Sequence, residues 1–274
     1  MPTSPNPNRQ RSPIVGSLVV LSLIAGLLLS LTGPASPAEA ATRTKPAAKV
    51  SLGIDVASHQ HPGGAAINWR LVRSSGVRFV LIKATEGAGR ALTVSTNSWF
   101  TADWRGAQTA GLLRGAYHYA RPRLPASTAV TDAKRFVAVI NSAGHGRGEL
   151  APVLDLEETG GLAPKALSNW TAAWLSEVTL LTGRRPIIYS GKGFWTSYLG
   201  NTSRFASYPL WIAHHTAAIQ PAALPGSWKS WSFWQYSSTG RIAGIKTAVD
   251  LSFSCGLPGQ TSSACQGARS PARR

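Results

Sequence analysis

The stretch 150-LAPVLDLEETGG-161 sets three carboxylates, Asp155, Glu157 and Glu158, directly behind an apolar run, in a chain with only 11 acidic residues among 274. Val153, Leu154 and Leu156 favour extended backbone, and successive side chains of a strand point to opposite faces. Asp155 and Glu157 therefore share a face, with Cα atoms roughly 6–7 Å apart at about 3.3 Å per residue. Glu158 points the other way or enters the turn announced by Gly160 and Gly161. Two carboxyls held that close raise the pKa of one of them. A protonated acid beside an ionised partner is the pairing that glycosidic bond cleavage uses. The same residues also fit a solvated strand end or a helix cap, so the elements around them must decide.

Those elements repeat with a rhythm. Strand-like segments cover residues 51–57, 77–84, 112–120, 149–157, 185–190, 208–215, 231–238 and 247–253. Helix-like stretches cover 97–111, 127–144 and 168–183, the last two opening on the N-cap candidates Ser127 and Ser168 and closing on Gly144 and Gly183. Strand–helix alternation predicts a parallel sheet. Eight strands in one domain of this size predict its closure. The connections 191–207 and 216–230 have weak helical character. The expected fold is α/β: an irregular TIM-like (β/α) barrel with eight strands and fewer than eight helices.

Barrel enzymes work from the C-terminal ends of their strands. In this chain those ends carry acids and side chains suited to a sugar. Asp55 ends the first, Lys83 and Glu86 follow the second, and Tyr117 and Tyr119 lie on one face of the third. Asp155 and Glu157 end the fourth and Tyr189 ends the fifth. Trp211 lies on the sixth, Gln235 and Tyr236 on the seventh, and Asp250 on the eighth. A lone strand aromatic is ordinarily core and a lone Asp a turn residue. Independent capping needs, however, would not put acids on strands one, four and eight together.

Flanking segments bear on where the domain works. Arg9 and Arg11 precede an apolar run of nineteen residues, 14–32, and small residues then lead to Ala38-Glu39-Ala40. This is the layout of a cleaved secretory signal over 1–40, with an uncleaved anchor through 14–32 as the alternative. Residues 41–50 read as a linker, 51–254 as the barrel and 255–274 as a tail. The formal charge is +17 overall, and residues 51–254 hold 20 basic and 10 acidic side chains, a surplus of +10. That surplus is scattered, which suits solubility and attraction to an anionic polymer such as a bacterial wall. No recognition helix, zinc spacing or RNA-binding signature points to nucleic acid. Cys255 and Cys265 are the only cysteines, and an exported chain is expected to pair them. No metal ligand set or cofactor motif is found, and a monomer is expected.

The segments 53-GIDVASHQ-60, 79-FVLIKATEG-87, 111-GLLRGAYHYA-120, 153-VLDLEET-159, 211-WIAHH-215 and 234-WQYSSTGRIAGIKTAVDLSF-253 resemble, in order and spacing, family 25 of the glycoside hydrolases. These are the lysozymes, or N-acetylmuramidases, of bacteria, phages and fungi. The resemblance runs from about Leu52 to Phe253. It implies an irregular β/α barrel that hydrolyses the β-1,4 bond between N-acetylmuramic acid and N-acetylglucosamine. It also implies catalytic positions at Asp55, Asp155, Glu157 and Asp250, with Glu157 as general acid. Departures are Ala57 where Ser is usual, His214-His215 where the second position is commonly Tyr, and Asn97 where Asp is common. They bear on subsite preference and remove no catalytic carboxylate.

Two carboxylates from one strand face approach a substrate from the same side. This fits substrate-assisted catalysis, in which the 2-acetamido oxygen attacks its own anomeric carbon, Glu157 protonates the leaving oxygen and Asp155 orients the acetamide. Inversion with Asp55 or Asp250 as base is the other route. A chitinase-type reading retains only the final D-x-E of that motif, since position 153 is Val. A non-catalytic wall-binding protein on the same fold is the alternative from another class.

Overall fold

The computed structural model describes residues 50–88, 93–216, 218, 220, 221, 223–255 and 257. The expected signal 1–40, the linker up to residue 49 and most of the tail, with Cys265, lie outside the described residues. Among those residues the order is β1 (Ser51–Val56), α1 (Trp69–Ser74), β2 (Phe79–Glu86), β3 (Ser95–Thr96), α2 (Phe100–Thr109), β4 (Leu113–Tyr119), α3 (Ser127–Ser142) and β5 (Val153–Asp155). It continues with α4 (Pro164–Thr182), β6 (Ile187–Gly191), α5 (Lys192–Tyr198), β7 (Leu210–Ala213), β8 (Phe233–Gly240) and β9 (Val249–Ser254).

One sheet holds all nine strands in the order β1-β9-β8-β7-β6-β5-β4-β2-β3, and a further β1–β2 pairing closes eight of them into a barrel. Each expected strand corresponds to one barrel strand, and five α-helices stand against eight strands. The expectation of a parallel sheet holds for β1, β2 and β4 through β8; it fails at the short β3, antiparallel to β2, and at β9, which runs antiparallel to both β8 and β1. Parallel neighbours need a crossover of a dozen or more residues. Only residues 241–248 join β8 to β9, so the chain turns straight back. Two further expectations are corrected. Ser127 and Ser168 are not N-caps: Ser127 is the first residue of α3, and Ser168 lies inside α4, which begins on Pro164. Pro suits a first helical turn, where its missing N–H has no intrahelical role. Gly183 does close α4, in the left-handed conformation, donating its N–H to the Thr179 carbonyl at 2.9 Å.

Strand alternation sorts the side chains into two layers. Ile54, Val56, Val80, Ile82, Leu154, Leu156, Ile188 and Ile212 face outward and join Trp104, Trp170 and Trp174 of the helices in the larger core. Phe79, Leu81, Tyr117, Val153, Ile187, Tyr189, Trp211 and Phe233 fill the barrel interior. Gly53 leaves room for that filling: a Cβ there would lie 2.2 Å from the Phe79 ring. The bottom of the barrel is thus closed by packed apolar side chains, and polar inward positions remain only toward its C-terminal mouth.

Candidate active site

The mouth is built by the inward positions one layer above that floor. On β1, Asp55 is inward because Ile54 and Val56 pack outward. On β5, Val153 fills the interior while Leu154 and Leu156 pack outward, so Asp155 and Glu157 face the mouth. Asp250 lies near the start of β9, not at a strand end as expected. Because β9 is antiparallel, its start is at the same mouth, and Asp250 stands directly opposite Asp55.

These four acids are gathered by shared contacts and shared fields. Gln235 of β8 donates from Nε2 to Asp55 Oδ2 at 3.0 Å and to Asp250 Oδ2 at 3.2 Å. Burial, and then the charge of Asp250, push the Asp55 carboxyl well above its ordinary range. Burial also raises Asp250, while the hydrogen bond from Asp55 and the nearby His215 oppose the rise. Asp55 is therefore the member of the pair whose carboxyl is pushed up further. Asp155 is 6% exposed. Burial, then Glu157 and Asp55, raise its carboxyl well above the ordinary range. Its Oδ1 is buried without a hydrogen-bond partner among the described residues. Glu157 reaches solvent. The surrounding protein and then the charge of Glu158 raise its pKa, against a hydrogen bond from Tyr119. An acid above its usual pKa and open to a ligand is suited to donate a proton.

A second cluster borders the first. Lys83 and Glu86 lie within β2 and not beyond it as expected; Lys83 pairs with Glu86 and lies 4.6 Å from the Tyr119 ring centre. Arg121 bonds Glu86 through Nε at 2.6 Å and grips both oxygens of Glu158 at 2.9 and 3.0 Å. Tyr119 donates to Glu158 at 2.9 Å. Burial works against the Glu86 charge, but its bonds from Lys83 and Arg121 hold the carboxyl below its usual range. Glu158 is thus neither a free third acid nor a plain turn residue; it is held by Arg121 and Tyr119 beside Glu157. Asn97 donates to the Lys83 carbonyl at 2.8 Å, tying the segment before α2 to β2. A cavity of about 760 Å³ opens here, lined by Glu86, Arg121, Arg123, Glu158, Gly160 and Gly161 among others. Gly160 permits its shape: a Cβ would meet the Pro122 carbonyl oxygen at 1.7 Å.

The remaining expected residues fall at two depths. Tyr189 donates to Gln235 Oε1 at 3.0 Å and Tyr117 lies among the acids; burial first, and then those acids, raise both phenols well above their ordinary range. Trp211 sits lower, 2% exposed, donating to Ser252 Oγ at 3.1 Å and lying 4.4 Å from the Tyr189 ring. It supports the mouth from below and offers no open face to a ligand. Tyr236 points outward and stacks on Phe253. Two residues with roles in the network were not singled out for it beforehand. Arg121 had no motif to mark it, and His215, noted only as a departure from the family pattern, bonds Gln235 Oε1 through Nε2 at 3.0 Å. Cys255 is buried just after β9.

Comparisons with known proteins show the family of the fold. The family model for glycosyl hydrolases family 25 matches residues 54–245. Lysozyme M1 of Streptomyces globisporus is 34% identical over 207 residues, covering 72% of this chain and 65% of its own length. The N,O-diacetylmuramidase of Chalaropsis sp is 33% identical over 214 residues, covering 72% and 93%. The structure of a family GH25 lysozyme from Aspergillus fumigatus superposes with a TM-score of 0.65 at 31% identity, covering 76% of this chain and 95% of that one. The chain belongs to glycosyl hydrolases family 25, and with its eight-stranded barrel and acidic mouth it is a glycoside hydrolase of the lysozyme and muramidase family.

Proposed function

We propose that this chain is a secreted muramidase that cleaves the β-1,4 bond between N-acetylmuramic acid and N-acetylglucosamine in bacterial peptidoglycan. The observation that carries the mechanism is Asp155: a buried carboxyl whose Oδ1 has no partner among the described residues, on the same inward face as the raised acid Glu157. In this reading Asp155 accepts from the acetamide N–H of the muramyl sugar. Glu157 protonates the leaving glycosidic oxygen as the acetamide oxygen of the muramyl sugar bonds to its own anomeric carbon. Asp155 holds the acetamide and offsets the positive charge it gains. Water then opens the ring so formed, giving its proton to Glu157 and regenerating the acetamide with retention. Inversion would instead need Asp55 or Asp250 to activate a water, and both are engaged through Gln235.

The names of relatives support the substrate, since they include lysozymes and an N,O-diacetylmuramidase. Export through residues 1–40 and attraction of the +10 domain to anionic wall polymers complete the proposal. Digestion of purified peptidoglycan, followed by borohydride reduction and mass spectrometry, tests it. Muramitol at the new ends is the expected product. Glucosaminitol alone, or no new ends, would refute it.

A further inference from the structure

Gln235 is 2% exposed, and its amide contacts four groups that fix its orientation. Nε2 lies between two carboxylates, Asp55 at 3.0 Å and Asp250 at 3.2 Å. Oε1 lies between Tyr189 Oη and His215 Nε2, each at 3.0 Å. The reversed amide would aim its oxygen at Asp55 and Asp250, and an ionised carboxylate has no hydrogen to donate. A carbonyl oxygen only accepts, so Nε2 of His215 carries a hydrogen. Asp55 and Tyr189 are buried within the barrel; His215, just beyond β7, is the partner most open to solvent.

We propose that His215 is a positioning residue: it fixes the Gln235 amide, and through it the Asp55–Asp250 pair, and sets the charge that pair carries as pH falls. The inference rests on the muramidase reading above. When the imidazole gains a proton at Nδ1, the Nε2–H bond to Gln235 stays and a positive charge comes to face Asp250, whose carboxyl His215 already holds down against burial. The groups around it are Gln235 of β8, Asp250 of β9, Tyr189 of β6 and the neighbouring His214, which itself feels Lys192 of α5. A cation there favours ionised Asp250, so activity should extend to lower pH than a neutral residue would allow.

Two variants separate the roles. His215→Gln keeps an N–H donor without the charge, and His215→Leu removes both. Turnover of soluble peptidoglycan fragments would be followed between about pH 4 and 8, together with carbon-13 carboxyl titration of Asp250 and a thermal melt of each variant. For H215L, kcat near neutrality is expected to fall roughly tenfold with KM changed less than about twofold, as for an interaction that matters in the transition state. H215Q should recover most of that kcat while its acid limb lies at higher pH, and Asp250 should titrate higher in both variants. Wild-type kcat in H215L, or an Asp250 titration that neither variant moves, would overturn the proposal. The titration reads without turnover. An inactive wild type would therefore count against the muramidase reading and leave the effect of His215 on Asp250 still measurable.

Discussion

Asp55 of β1 and Asp250 of β9 stand directly opposite one another across an antiparallel ladder and share the side-chain amide of Gln235. Like charges set that way cost stability, and the cost has a sign in pH. Burial and Asp250 raise the Asp55 carboxyl above its ordinary 3.8. The folded chain then binds more protons than the unfolded chain, and stability falls as pH rises through that window. Asp55→Asn accepts from Gln235 and donates to Asp250 without a charge. It is expected to match the wild type near pH 3.5 and to melt about 2–4 °C higher at pH 7.5. Thermal melts across pH check this, and an unchanged gap at both ends would contradict it.

Glu157→Gln keeps size and hydrogen bonding but cannot protonate a leaving oxygen. Lytic activity should drop about 10²–10⁴-fold with circular dichroism unchanged and the melting temperature no lower. Near-normal lysis would remove Glu157 from the role of acid.

The floor of the barrel makes a separate prediction. A methyl at position 53 would intrude on the fully buried Phe79 ring, so Gly53→Ala should destabilise by roughly 1–3 kcal/mol. Adding Phe79→Leu should recover part of that loss, because residues in contact couple. Denaturant unfolding of the two single variants and the double variant measures the coupling; strict additivity would place the two side chains apart.

With a surplus of +10 on residues 51–254, binding to anionic walls should weaken with salt, since screening already acts over about 8 Å at physiological ionic strength. Cosedimentation of the Glu157→Gln protein with walls, at low and high salt, follows binding with little turnover. Equal binding at both would assign recognition to uncharged sugar contacts.

Much of this was legible in the sequence because strands alternate. The period of two put Asp155 and Glu157 on one face and Leu154 and Leu156 on the other, and the structure keeps that division. Turn glycines marked the end of α4. What was hidden depended on partners remote in sequence. The reversal of β9 follows from a short connection whose strand direction no residue type announces. Glu158 owes its role to Tyr119 and Arg121, 39 and 37 residues away. Trp211 looked like a sugar platform, yet its place one layer below the mouth follows from its register with Tyr189 and Phe233. The two-residue β3 and the six-residue α1 are too short to carry a period.

The central claim is that Asp155 and Glu157 act from one side on a substrate that supplies its own nucleophile. Proton NMR of the first-formed anomer during cleavage of a defined peptidoglycan fragment tests it most directly. The account predicts the β-anomer first, with the α-anomer growing in only by mutarotation. The α-anomer as first product would mean inversion by a water, and would contradict the role given to Asp155.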